Sequence, residues 1–145
     1  MVVVSPKAAG AGEFRRSIYL YTRRSFDLTL LNVFDEPVLD TNCPRRTESA
    51  VVSQSLTMLN DDFVLDQAGL IADRVSAATT DHARQIETAF RLVLSRPPTA
   101  KDADWSQDIL ARLERSYAGR KGAEKLALSS FCQALLNTNE FLYVK

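Results

Sequence analysis

With 145 residues, 46% of them hydrophobic and 25% charged, the chain has the length and apolar content of one globular domain, which excludes disorder over most of it. Lysine plus arginine equals aspartate plus glutamate, so the net charge is zero and the basic excess that marks a nucleic-acid binder is absent. Cys43, Cys132 and the single His82 supply neither a disulfide framework nor a metal set, and no apolar run approaches the roughly eighteen residues of a membrane span.

Residues 1–13 hold Ser5, Pro6, Gly10 and Gly12 with little to pack after Val4, which suggests a flexible leader or the truncated edge of a larger domain. Met1 to Val4 is too short for a signal-peptide core, so the chain as written carries no export address and is expected to stay in the cytoplasm. Residues 14–145 are expected to form a helical module. Its first part, 14–46, begins with an extended segment over 15–24, where Ile18, Leu20 and Thr22 alternate with Tyr19 and Tyr21. A lone strand leaves its backbone groups unpaired, so this one needs a partner from elsewhere. A short helical turn over 27–34 follows, ended by Pro37, and then a loop over 38–46.

From residue 47 the pattern turns helical. Thr47 is suited to cap a first helix, along which Val52, Leu56, Leu59 and Phe63 recur at helical spacing. Asn60, Asp61 and Asp62 interrupt it, and Asp61 or Asp62 is expected to cap a second helix with the stripe Val64, Ala68, Ile71 and Val75. After a connector at 77–80, Asp81 caps a third, whose face is Ile86, Phe90, Val93 and Leu94; Pro97 and Pro98 end it, since a proline disfavours α geometry in the residue before it. Thr99, with Asp102 three residues on, is close to a capping box for a fourth helix lined by Trp105, Ile109, Leu113 and Tyr117. Gly119 and Gly122 flank a basic turn. The last helix starts at Ala123 or Glu124 and carries the widest stripe, Leu128, Phe131, Cys132, Leu135 and Leu136, before Asn137 ends it and 140–144 closes the chain as an apolar tail. The fold class is mainly α: about five short-looped helices after one extended segment.

Few residues invite a chemical role. Cys43 lies beside Arg45 and Arg46, whose charge would favour the reactive thiolate, although a small residue in a turn explains it as well. Arg15, Arg16, Arg23, Arg24, Arg45 and Arg46 form three pairs. They suit a solvated face with ion pairs, the docking of acidic groups on another domain, or the binding of a carboxylate, phosphate or sulfate. Asp61 and Asp62 are adjacent and point apart, so capping accounts for them better than an acid–base pair. His82 belongs on the surface, Trp105 and Cys132 in the core.

Six stretches, taken in order, resemble a known family: RRSIYLYTRRS (15–25), FDEP (34–37), NCPRR (42–46), LTMLNDDFVLDQA (56–68), AFRLVLSRPPTAKD (89–102) and ALLNTNEFLYV (134–144). Together they are similar to the C-terminal part of a planctomycete-rich bacterial family catalogued as a domain of unknown function, DUF1553, over nearly all of 14–145. The family pattern tends to place proline where this chain has Asp62; either residue starts a helix well. The resemblance implies a large, exported parent protein in which this region follows an upstream domain and often accompanies a cytochrome c-like haem segment. No Cys-x-x-Cys-His motif is present, so no cofactor is expected in this chain itself. The expected role is a non-catalytic structural or docking module of such a parent, redox-linked through the haem segment, with the upstream domain as its partner and neither nucleic acid nor a membrane span involved. The alternative is enzymatic: the loop of Cys43, Arg45 and Arg46 would complete an active or anionic-ligand site with the upstream domain.

Overall fold

A computed structural model describes residues 33–34 and 52–143. The extended segment at 15–24, nearly all of the turn at 27–34, the loop at 38–46 and the expected cap Thr47 lie outside the described residues. Val33 is helical and Phe34 lies in a turn, in keeping with a short helix that ends ahead of Pro37. Contacts divide the chain into two units, Met1–Thr57 and Met58–Lys145. In the first, the side-chain amide of Gln54, which is buried, donates to the Val33 carbonyl at 3.1 Å.

Among the described residues there are six helices and no strand. They are α1 (Val52–Asn60), α2 (Asp62–Ala78), α3 (His82–Leu94), α4 (Ala100–Tyr117), α5 (Ala123–Leu136) and the single turn α6 (Asn139–Leu142). The first five are the helices that the apolar spacing predicts, and α6 is a further single turn within the expected apolar tail. In the second unit α5 is the centre. It lies against α2 over the longest contact and against α4 over the next, while α3 packs on α2, α4 and α5. Burial explains the arrangement: Ala127, Leu128, Phe131, Cys132, Leu135 and Leu136 of α5 are all buried, and Phe131 and Cys132 are wholly so. Val64, Ala68, Ala72 and Val75 from α2, Ile86, Ala89, Phe90 and Val93 from α3, and Met58 and Leu110 from α1 and α4 are the other apolar residues of the core. Each large side chain of this kind stabilises the fold by about 1.5–3 kcal/mol on burial.

Local chemistry sets where the helices start. The Asp61 carboxylate accepts from the Phe63 amide at 3.0 Å and that of Asp81 from the Arg84 amide at 3.1 Å, each satisfying a first-turn N–H that has no helical partner. At α4 the capping box is complete: Thr99 Oγ1 accepts from the Asp102 amide and Asp102 Oδ2 from the Thr99 amide. No side chain caps α5. Its N-cap is Gly122 at φ 75°, a left-handed conformation that costs glycine little and any other residue more. Helix α3 stops at Leu94, because Ser95 already turns left-handed at φ 57°, two residues ahead of Pro97.

Two expected faces are rotated. On α1, Val52 and Leu56 are exposed, as are Leu59 and Phe63 beyond the unit boundary, while Gln54 and Met58 are the buried residues. The Gln133 side chain of α5 gives part of the reason: it donates to the Leu59 carbonyl at 2.8 Å and to that of Met58 at 3.4 Å, holding the end of α1 with Met58 inward. On α4, Trp105 is 46% exposed rather than in the core. The buried pair is Ser106 and Leu110, one position further round the helix. A small side chain at the contact lets helices approach closely, and Tyr117 ties α4 to α5 through a 2.9 Å hydrogen bond to the Ser130 hydroxyl.

Candidate functional site

The residues singled out in the sequence, Arg15, Arg16, Arg23, Arg24, Cys43, Arg45 and Arg46, lie outside the described residues. Two other arrangements in the second unit carry polar chemistry or surface beyond what packing requires.

The first is built around Arg96, in the link between α3 and α4. Its guanidinium grips the Glu140 carboxylate of α6 with two parallel hydrogen bonds, Nε to Oε1 at 2.5 Å and Nη2 to Oε2 at 2.7 Å. On the other side Nη1 donates to Asp102 Oδ2 at 2.7 Å and to the Pro97 carbonyl at 3.0 Å. The group sits 5.4 Å from the centre of the Phe90 ring, within the range of a cation–π contact. Local structure prepares this. The left-handed Ser95 ends α3 and the prolines forbid its continuation, so Arg96 stands free of helix geometry beside the α4 cap. The Asp102 carboxylate, already fixed by the Thr99 amide, is thereby aimed at Arg96.

Charge follows geometry here. The Thr99 amide first, and then Arg96, hold the Asp102 carboxyl below its ordinary range. The bidentate bond from Arg96 does the same for Glu140, and the two carboxylates together push Arg96 upward. All three groups stay charged at neutral pH. A guanidinium held by two carboxylates is a structural tie, and an external anion would have to displace one of them.

The second arrangement is apolar. Phe63 and Leu70 stand seven residues apart on α2, two helical turns, and therefore share a side of it. That side is turned away from Val64, Ala68, Ala72 and Val75: Phe63 is 45% exposed and Leu70 48%. Leu59, at the end of α1 and four residues before Phe63, is 48% exposed.

Other candidates fall to structural roles. Cys132 is fully buried and burial pushes its thiol up to about 12, far from a reactive thiolate. Asp61 is a cap and Asp62 an exposed first-turn residue. His82 is on the surface, as its place at a helix start suggests, with Nε2 3.4 Å from the Glu114 carboxylate. Among the described residues no group of histidine, cysteine, aspartate and glutamate could hold a metal ion, and no helix is long and apolar enough to cross a membrane. Sequence reasoning missed the Arg96 tie because Glu140 lies 44 residues further on, and no local pattern announces a pair at that separation. The only hint was an arginine placed directly before a proline pair and a capping box.

The family model described as a protein of unknown function (DUF1553) matches residues 3–110. Five of the six stretches that carried the resemblance fall inside the match, which also reaches back into the expected leader; the sixth, 134–144, lies beyond it. No curated protein and no solved structure matches the chain.

Proposed function

The chain belongs to the DUF1553 family of unknown function, and from that premise we propose that it acts as a non-catalytic docking module of a larger, exported protein. The observation that carries this reading is the outward face of Leu59, Phe63 and Leu70. In a bundle that buries the stripe from Leu128 to Leu136 of α5, large apolar side chains left about half exposed, two of them on one side of α2 and Leu59 just ahead of it, are a cost unless something covers them. The proposed occupant is the domain that precedes this region in a family-like parent, a protein surface of complementary apolar character. The arginines Arg15, Arg16, Arg23, Arg24, Arg45 and Arg46, with Cys43 among them, are assigned to the same docking role, as cations that meet carboxylates of that domain. A haem group in the parent would make the assembly redox-linked.

The test is thermal unfolding of the chain alone and mixed with the upstream region of such a parent, each with and without the double change Phe63→Ser and Leu70→Ser. Docking predicts a transition that rises on mixing for the unchanged chain and stays put for the variant. A transition indifferent to the upstream region would refute the role. An equal rise in both proteins would move the interface away from α2.

A further inference from the structure

The single turn α6 differs from the other helices of the second unit in how it is held. None of its residues is buried: Phe141 is exposed, Leu142 half-buried, and Tyr143 beyond it exposed. Its backbone bonds are internal to the turn, with the Phe141 and Leu142 amides donating to the Thr138 carbonyl and the Tyr143 amide to that of Asn139. A turn this short is unstable by itself, because nucleation fixes several residues for few hydrogen bonds. It touches α3 and α5; Thr138 at its start bonds back to the Leu135 carbonyl of α5, and the tie that reaches furthest along the chain is the two-pronged bond from Arg96 to Glu140, 44 residues apart in sequence.

Arg96 does not depend on α6 in return. Asp102 and the Pro97 carbonyl hold it from the α4 side, and Phe90 supports its face. Loss of Glu140 therefore leaves the cation placed and partly neutralised. The two ends of the tie are unequal, one rigid and one attached to a segment with no core of its own. We propose that residues 138–143 are a detachable strap, latched onto the bundle by the Arg96–Glu140 pair and able to open while α2 to α5 remain folded. Opening presents the α3 and α5 surfaces under the strap, together with a guanidinium ready to accept a different carboxylate.

The discriminating experiment is hydrogen exchange of the full chain, resolved to single amides, for the unchanged protein and for Glu140→Gln. A latch predicts that the Phe141, Leu142 and Tyr143 amides exchange about three- to tenfold faster in the variant, the size expected for a charge-assisted pair of partial exposure, while amides of α5 keep their rates. Rates at 141–143 that do not change would overturn the latch. Acceleration spread evenly over α5 and α3 would overturn the strap, since the pair would then belong to the global fold. Arg96→Gln is a second, independent break of the same tie, with the added loss of the bond to Asp102. It should loosen 141–143 as much as Glu140→Gln does, and a smaller effect there would show that Glu140 is anchored by another group.

Discussion

Helix α5 and the stretch from the end of α1 through α2 carry apolar residues at the same helical spacing, yet the two are treated in opposite ways. In α5 the whole stripe from Leu128 to Leu136 is buried. Around Asp61 the stripe of Leu59 and Phe63 points outward, and α2 buries a different face, smaller in its side chains, through Ala68 and Ala72. The lesson concerns what periodicity measures. It shows that one side of a helix is apolar, and burial then depends on how many sides have neighbours. Helix α5 has neighbours in α2, α3 and α4, so its wide stripe is covered almost whatever its rotation. Helix α2 has α5 on one side and α3 beside it, and alanines let it come close to them; Phe63 and Leu70, on its other side, stay about half exposed.

Substitutions graded along this contrast would sharpen or break it. Phe131→Ala, at the fully buried centre of α5, should lower stability by about 3–5 kcal/mol in denaturant unfolding; a loss under about 1 kcal/mol would mean that α5 is not the centre. Val75→Ala tests the inward face of α2, and the loss of two buried methyl groups should cost about 2 kcal/mol, clearly less than at Phe131. Thr99→Ala leaves both faces alone and removes one half of the α4 capping box, for about 1 kcal/mol. At the bottom of the scale, Phe63→Ser with Leu70→Ser should change the stability of the isolated chain by no more than about 0.5 kcal/mol per site, with helical circular dichroism intact. A large loss there would erase the contrast and the docking reading with it.

Much of the second unit was legible in advance because its signals are local. A carboxylate or hydroxyl ahead of an apolar-periodic run satisfies helix N–H groups that lack partners, and Asp61, Asp81 and Thr99 do so here. The α5 stripe was legible for the same reason, since its width leaves no orientation in which it could be solvated at low cost. Trp105 was misplaced by one position: its neighbours Ser106 and Leu110 share most of the same helical side, and only the approach of α4 to the bundle decides which of the two edges is covered. Neither the outward face at Phe63 and Leu70 nor the tie from Arg96 to Glu140 could be read, because each depends on what stands opposite in space.

By itself, then, the sequence determined a mainly helical chain, the places where α2 to α5 begin, the face that α5 buries and a likeness to a family that the comparison bears out. The tertiary structure decided the rotation of α1 and α4, the exposure of Phe63, Leu70 and Trp105, and the partnership of Arg96 with Glu140. The division has a physical reason. Backbone hydrogen bonding and capping are settled within four residues along the chain, whereas burial and ion pairing are settled between segments whose meeting depends on the packing of all the others.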